Sequence, residues 1–287
     1  IQPAAGMPAG TYSVARSSDL PVTGGVCGVG NQVGFQGSNT GPATSNLGTG
    51  LQLCEVAFDA DFEFYQDYGS STTAASNRIQ TVVNTMNLQY EGEVGITHAI
   101  TTTLVRTSSN QPYTSADAST LLNQFRSEWN ANQGSIQRDV AQLFTGKSII
   151  GGTIGIAWVG AVCSSFAYGM VESDFNGSFA SATDLSAHEL GHNWNASHCS
   201  CTSYTMNPFI TSSNTFNPQG TRPTITAFRD SRSCLSTGGG GGNNPPGSTG
   251  SPSPSSGANS VPTSADLAWG AATGATSYDV YFGTDST

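Results

Sequence analysis

The stretch HELGHNWNASH, residues 188–198, decides both the fold and the chemistry of this chain. His188 and His192 are four residues apart, so in a helix their side chains lie one above the other on the same face. This separation suits two ligands of one zinc ion, and Glu189 beside them is placed to hold a water on the metal. His198 follows six residues after His192, too far round to bind from the same straight helix. The chain must therefore turn between them.

The turn inside this motif has a predicted position. Asn195 lies between His192 and His198, and asparagine tolerates the left-handed conformation that ends a helix better than other non-glycine residues. A structural zinc site usually has four protein ligands, often cysteines, whereas three histidines beside a carboxylate leave one coordination position for water. Since three of the chain's 4 histidines take this spacing, a chance match on a solvated helix face is the weaker alternative. The motif predicts a catalytic zinc site.

The composition limits the partners and the compartment of the protein. Charged residues are 10% of the 287-residue chain, far below the roughly 25% of an average globular protein. With 9 lysines and arginines against 19 acidic residues the net charge is −10, which argues against nucleic acid as a partner. No apolar run reaches the roughly 18 residues of a membrane span. The 6 cysteines, beside Lys147 as the single lysine, are typical of a secreted, extracellular protein.

The composition also divides the chain into four parts. Residues 1–50 are rich in glycine, proline, serine and threonine without a sustained period, and we interpret them as an N-terminal segment, either a remnant of a pro-segment or a wrap around the next domain. Residues 51–237 form the predicted catalytic domain. Residues 238–260 are a Gly/Pro/Ser linker with nothing to bury. Residues 261–287 alternate apolar and polar side chains as half-buried strands do.

Strand and helix patterns alternate through the predicted catalytic domain. This order predicts an α/β fold, or an α+β fold if strands and helices segregate. The predicted elements are a strand over 51–64, a helix over 73–90, a strand over 95–107, a helix capped by Ser115 or Asp117 and running through Trp129, and strands over 139–144 and 155–162.

The spacing HExxHxxxxxH, followed by Met206 in SYTMNP, resembles the metzincin zinc endopeptidases, whose second mark is a methionine in a tight turn beneath the metal. Within that clan the chain most resembles the adamalysin/reprolysin branch, and in particular the sequences of its bacterial secreted members. Two positions depart from the branch: Asn195 replaces its usual glycine and Cys199 its usual aspartate. Pro208 stands where some metzincins have a tyrosine, so no tyrosine ligand is expected. The segments that carry the resemblance are VAFDADFEFY (56–65), RDVAQLFTG (138–146), GIAWVGAVC (155–163) and TMNP (205–208).

The resemblance implies both a fold and an activity. The fold is a twisted, mostly parallel sheet with an antiparallel edge strand, packed by long helices that include the zinc-binding helix. Zinc bound by His188, His192 and His198 would lower the pKa of its water toward about 7. Glu189 would take the proton as that water attacks a peptide carbonyl. We therefore expect a secreted zinc endopeptidase that acts on proteins or peptides as a monomer.

The resemblance also implies where a substrate binds. Gly155, Ile156, Ala157 and Trp158 would lie on an exposed edge strand that pairs with an extended substrate backbone. The alternative is an ordinary core strand. Residues 207–216, after the methionine turn, would shape the pocket for the residue that follows the scissile bond.

A calcium site is a further implication. Glu55, Asp139 and the carbonyl of Cys234 match positions that hold calcium in several relatives, and hard oxygen ligands suit that ion. Thr237 stands where the family usually has asparagine. The alternatives are a buried hydrogen-bonded pair or two surface charges.

The cysteines allow fifteen pairings if all are oxidised. The resemblance suggests a Cys163–Cys234 disulfide, while Cys199 and Cys201 pair with each other or with partners elsewhere. The context of Cys27, VCGVG, resembles the cysteine switch of latent adamalysins, in which a thiolate occupies the open zinc position. The expectation we favour is instead a Cys27–Cys54 disulfide, which leaves no odd cysteine.

A different class of function is the main alternative. Residues 261–287, with Leu267 and Trp269 and then Tyr278, Val280 and Tyr281, resemble the opening strands of a fibronectin type III module. A zinc-containing adhesion or binding module with little peptidase activity would use that tail. The intact Glu189 favours the peptidase, because a module that needs only the metal does not need the base.

Overall fold

The computed structural model describes residues 2–3, 12–13, 25–28, 51–237, 250–255, 258–259, 261–262 and 268–270. The chain divides into two compact units, Ile1–Ser236 and Thr237–Thr287. Most of the predicted N-terminal segment, most of the linker and most of the fibronectin-like tail, including Tyr278, Val280 and Tyr281, lie outside the described residues.

The first unit contains both helices and strands, and the last two strands named below belong to the second unit. In chain order the described elements are β1 (Gln2–Pro3), β2 (Tyr12–Ser13), β3 (Val26–Cys27), β4 (Gln52–Ala60), α1 (Phe62–Asp67), α2 (Thr72–Val94), β5 (Ile96–Val105), α3 (Ala118–Asn132), β6 (Val140–Phe144), a 3₁₀ turn (Ile150–Gly152), β7 (Thr153–Ala157), β8 (Tyr168–Val171), α4 (Phe179–Asn193), α5 (Thr221–Asp230), β9 (Ser236–Thr237), β10 (Gly250–Ser253) and β11 (Ala268–Gly270).

Seven of the described strands form one sheet. Its order is β3–β7–β8–β6–β4–β5, and β9 pairs with β4. The pairs β3–β7, β6–β8, β4–β6 and β4–β5 are parallel, and β7–β8 is antiparallel. The predicted α/β class, with a mostly parallel sheet and one antiparallel pairing near its edge, is confirmed.

Side chains of β4 alternate between two cores, as the two-residue period of a strand requires. Val56 and Phe58 pack with the apolar faces of α2 and α4, whereas Ala57 packs with α3. The sheet is therefore covered by helices on both faces, which explains why its central strands read as nearly continuous apolar runs.

Local signals set most element ends. Asp61 ends β4 because its carboxylate accepts a 2.8 Å hydrogen bond from the Phe64 N–H and so begins α1, where the sequence predicted a strand to residue 64. Asp117, one of the two predicted caps, accepts from the Thr120 N–H at the start of α3. The predicted strand over 155–162 stops at Ala157, and Gly160 then turns the chain with φ 64°. Strand β8 was not predicted.

Two disulfides lie in this unit. One joins Cys163 and Cys234, whose Cα atoms are 6.0 Å apart, and the other joins Cys199 and Cys201. Among the described helices, none combines the length and the apolar character that crossing a membrane requires.

The histidine outside the motif is part of the core. His98 lies on β5, where its Nε2 accepts a 3.2 Å hydrogen bond from Trp194 Nε1 and its Nδ1 donates to Asn87 Oδ1 at 3.0 Å. Its ring also meets that of Tyr90 edge-on. Burial lowers the pKa of His98 to about 3, so it is neutral at pH 7.

We expect His98 to make the fold sensitive to acid. Its pKa is lower in the folded than in the unfolded chain, so the unfolded state binds the extra proton and stability falls as the pH drops below about 6.5. Between pH 7 and pH 5 this costs about 2 kcal/mol. Urea unfolding at both pH values should show a smaller loss for His98→Gln than for the wild type, although the variant is less stable at pH 7. Equal losses in the two proteins would contradict a neutral, packed His98.

Candidate metal centre

The helix α4 carries the first two histidines of the motif. Ser178 begins it by accepting a 3.3 Å hydrogen bond from the Ser181 N–H, and every residue from Ser181 to Asn193 is buried. Beyond the helix, Asn195 has φ 71° and donates its N–H to the His192 carbonyl. The predicted left-handed turn at residue 195 is therefore present, and it brings His198 back toward the helix.

The three imidazoles of the motif converge on one point. The Nε2 atoms of His188 and His192 are 3.0 Å apart, and each lies 3.3 Å from Nε2 of His198. A tetrahedral zinc ion with ordinary Zn–N bonds holds its ligand atoms about 3.3–3.4 Å from one another. The donor set and its spacing therefore fit zinc.

Backbone carbonyls orient two of these rings. His188 Nδ1 lies 2.5 Å from the Thr205 carbonyl oxygen, and His192 Nδ1 lies 2.7 Å from that of Ala196. A proton on each Nδ1 donates to the carbonyl, which leaves the Nε2 lone pair free for a metal. The same support is common around metal-bound histidines.

Burial also keeps the three rings in the neutral form that binds metals. It lowers the pKa of His188 to about 3 and that of His192 well below its usual value, and the neighbouring histidines lower both further. Burial lowers the pKa of the half-buried His198 as well. At neutral pH these groups are ligands rather than cations.

Glu189 lies against the edge of the sheet beside this cluster. Its carboxylate is so close to the backbone of β7 that a Cβ atom on Gly155 would sit 2.4 Å from Glu189 Oε1. Burial raises the pKa of Glu189 to about 8, and the Cys27 thiol lowers it in part. Gly155 is required here because only glycine leaves room for the carboxylate.

Cys27 joins the histidine cluster, and the expected Cys27–Cys54 disulfide is wrong. Cys27 Sγ lies 3.4 Å from His192 Nε2, and its ligand atom and those of the three histidines all lie within 4.8 Å of one another. Neither Cys27 nor Cys54 is in a disulfide. Strands β7, β8 and β6 separate β3 from β4, a distance of about 19 Å across the sheet, far beyond the reach of a disulfide.

The strand expected to be an exposed edge is covered in this structure. Val26–Cys27 pairs parallel with β7, and the Gly28 N–H donates to the Gly155 carbonyl at 2.9 Å. On its other side, the Cys27 N–H donates to the Pro208 carbonyl at 3.1 Å, and Val26 pairs with Phe209. We call residues 207–216 the cleft wall. An extended backbone therefore lies between β7 and the cleft wall, with Ile156, Ala157 and Trp158 buried behind it.

Met206 is buried beneath α4. A Cβ atom on Gly191 would lie 2.6 Å from Met206 Sδ, so the methionine packs directly against the helix between the two histidine positions. Two further residues of the site, Asp184 and Thr205, were not predicted from the sequence. Asp184 stands four residues before His188 on the same helical face, a spacing that would have singled it out.

The residues expected to bind calcium have other partners. Asp139 Oδ2 accepts a 2.8 Å hydrogen bond from the Glu55 N–H, and Glu55 Oε2 accepts one of 2.7 Å from Gln137. Burial raises the pKa of Asp139 to about 6. Its carboxylate lies near Cys163 and Cys234, whose sulfur atoms are joined to each other. The described residues give no support to calcium here.

Comparisons with known proteins identify the family of this chain. Residues 51–243 match the family model Reprolysin_5, described as metallo-peptidase family M12. The zinc metalloproteinase-disintegrin-like atragin of Naja atra is 26% identical over 143 residues, which are 48% of this chain and 23% of that protein. Disintegrin and metalloproteinase domain-containing protein 19 of Mus musculus is 28% identical over 148 residues, 52% of this chain and 16% of that protein.

The chain thus spans less than a quarter of the length of either relative. One solved structure, titled as that of a chaperone-substrate complex, aligns at 18% identity over 63% of this chain and 35% of that chain, with a TM-score of 0.48. That likeness is too weak to carry an argument.

We expect the histidine cluster to bind one zinc ion per chain. His192→Ala should weaken zinc binding by more than the roughly 10- to 100-fold that is typical of losing a supporting group around a ligand. Zinc content after competition with a chelator measures this effect. His98→Gln is the matched control, since it alters the remaining histidine and should leave the zinc content unchanged. Equal retention of zinc by His192→Ala and the wild type would refute the assignment.

Proposed function

Since the chain belongs to metallo-peptidase family M12, through residues 51–243, we propose that it is a zinc-dependent endopeptidase that hydrolyses peptide bonds in proteins. The observation that carries the proposal is the convergence of three Nε2 atoms beside the Glu189 carboxylate. The carboxylate is what favours catalysis, because a site that only stores a metal needs no base beside its ligands.

Each group of the cluster has a separate task in this proposal. His188, His192 and His198 hold the zinc through Nε2. When bound, zinc supplies Lewis-acid polarisation of the peptide carbonyl and makes a nearby water more acidic. Thr205 and Ala196 keep the first two rings in the tautomer that can bind.

Glu189 is the proposed general base. It takes a proton from the attacking water and passes that proton to the leaving nitrogen. Burial raises the pKa of Glu189. The positive charge of a zinc ion held by the three histidines would favour the ionised carboxylate, which can accept a proton. Gly155 supports this role by leaving the space that the carboxylate occupies.

The substrate is proposed to lie extended between β7 and the cleft wall. Support comes from Val26, Cys27 and Gly28, which already occupy that place and bond to Gly155 on one side and Pro208 on the other. A backbone in this position has β-strand partners on both sides, which is how extended peptides are commonly recognised.

The same contacts support latency of this chain. The Cys27 thiol reaches the metal-ligand cluster, and β3 fills the proposed substrate position. A thiolate is a good zinc ligand and would take the position that a water needs. We therefore propose that the segment around Cys27 inhibits the enzyme until it is displaced or removed.

Secretion belongs to the proposal as well. The disulfides Cys163–Cys234 and Cys199–Cys201 form and persist in oxidising compartments outside the cytosol. The proposal requires zinc alone, and monomeric action and the role of the C-terminal tail remain predictions from the sequence.

Removing the thiol should activate the full chain. We expect Cys27→Ala to raise the rate of casein cleavage by about tenfold or more, because the loss of zinc–thiolate contact weakens the hold of the segment by roughly 1.4 kcal/mol or more. Cys54→Ala is the matched control, since Cys54 is also a buried cysteine outside any disulfide but lies on β4 away from the histidines. That variant should keep the low wild-type rate, and equal activation by both changes would contradict the switch.

The base is tested in the activated chain. With Cys27→Ala as the background, Glu189→Ala should retain zinc and lose about 10²- to 10⁴-fold in the rate of casein cleavage. Chelator should abolish the activity of the background protein, and added zinc should restore it. Full turnover by the Glu189→Ala variant would contradict the role of Glu189 as the general base. An absence of cleavage by the zinc-loaded background protein would favour the adhesion module instead.

A further inference from the structure

We propose that Asp184 is a positioning residue that fixes the cleft wall and thereby sets which residue is accepted after the scissile bond. This rests on the endopeptidase function proposed above and adds a determinant of its specificity. Asp184 lies on α4 one turn before His188, and its side chain is fully buried.

The Asp184 carboxylate accepts hydrogen bonds from two parts of the segment that connects α4 and α5. Oδ1 accepts from Thr205 Oγ1 at 2.8 Å and from the Asn214 N–H at 3.0 Å. Oδ2 accepts from the Thr211 N–H at 3.2 Å and from Thr211 Oγ1 at 3.3 Å. Among the described residues, no lysine or arginine forms an ion pair with this carboxylate. The hydrogen bonds from the wall and from Thr205 therefore replace water around a buried acid.

The cleft wall has a conformation that needs such an anchor. Ser212 and Asn214 both have positive φ, 58° and 48°, which non-glycine residues adopt only where their surroundings hold them. Asn214 Nδ2 donates to the Ala180 carbonyl, and the hydroxyl of Ser212 pairs with that of Ser181. The far end of the wall is therefore attached to the first turns of α4, with Asp184 at the centre of the attachment.

The near end of the wall touches whatever lies in the cleft. Pro208 accepts the backbone hydrogen bond from Cys27, and Phe209 pairs with Val26 while its side chain remains 51% exposed. Only Ile210 separates this contact surface from Thr211, the first residue held by Asp184. We therefore expect a change in the contacts of Thr211 to alter the distance between Phe209 and β7, which lie on opposite sides of β3.

Asp184 also reaches the metal cluster through Thr205. The hydroxyl of Thr205 donates to Asp184, while its carbonyl oxygen orients His188. The Asp184 carboxylate thus binds both the cleft wall and Thr205, whose carbonyl orients His188. It does not itself contact the reacting atoms.

The test compares isosteric variants in the activated Cys27→Ala full chain. Asp184→Asn keeps the volume, but its single amide NH₂ faces either Thr211 or the pair Thr205 and Asn214, and all three are donors themselves. We expect faster amide hydrogen exchange in the cleft wall and a fall in kcat/KM of about 10- to 100-fold, mainly through KM. Across peptides that differ in the residue after the scissile bond, the roughly 10- to 200-fold discrimination of a shaped pocket should shrink toward one.

A buried acid elsewhere provides the control. Asp59 on β4 is equally buried and accepts from Arg106, Tyr113 and Trp129, none of which belongs to the wall. Asp59→Asn should lower the melting temperature and leave peptide preference unchanged. A stable or merely less stable Asp184→Asn protein, with zinc bound and the wild-type preference intact, would overturn the proposal.

A milder variant covers the case in which Asp184→Asn does not fold. Thr211→Val removes one hydroxyl donor to Asp184 and keeps the backbone bond, so it should shift peptide preference in the same direction by a smaller factor. An unchanged profile in Thr211→Val would then overturn the proposal. If the activated parent cleaves no peptide, the endopeptidase function fails, whereas amide exchange in the wall still reports on Asp184.

Discussion

The burial of α4 is the constraint on which the rest of the structure depends. This helix brings Asp184, His188, Glu189 and His192 into the interior on consecutive turns. Polar groups inside a protein need partners, and those of Asp184, His188 and His192 come from the segment after the helix rather than from the helix itself. The Ala196 and Thr205 carbonyls and the cleft wall are placed to meet them, and Gly155 on β7 leaves space for the Glu189 carboxylate. The loops around the centre thus follow from what the helix buries.

Much of the candidate site could be predicted because its information is local. Two histidines four residues apart, a carboxylate beside them and an asparagine at the turn are properties of eleven consecutive residues, and Asn195 takes the predicted left-handed conformation. The α/β class was predictable from the alternation of strand and helix patterns, whereas the mostly parallel sheet was expected from the family resemblance. Strand β8, with only four buried residues and no polar alternation, offers no such pattern.

The covering of β7 by β3 and the missing Cys27–Cys54 disulfide had a common physical origin. Cysteine counting and strand patterns contain no information about which distant segments become neighbours, and β3 has only two residues. Its position depends on the Gly155 carbonyl on one side and the Pro208 carbonyl on the other, both more than a hundred residues further along the chain. That single pairing both covers the edge strand and takes Cys27 away from Cys54. The order of strands in the sheet, which becomes known only with the structure, decides both matters together.

The Cys163–Cys234 disulfide gives this part of the chain the topology of a closed ring. Its two cysteines are 71 residues apart, and all three motif histidines, Asp184 and the cleft wall lie between them. A ring of this size removes enough freedom from the unfolded chain to stabilise the fold by roughly 4 kcal/mol. It also means that a single cut in an exposed loop of the ring, such as the one carrying Phe209, leaves both fragments covalently joined. A cut there would therefore leave the three histidines and both sides of the cleft wall in one covalently joined molecule.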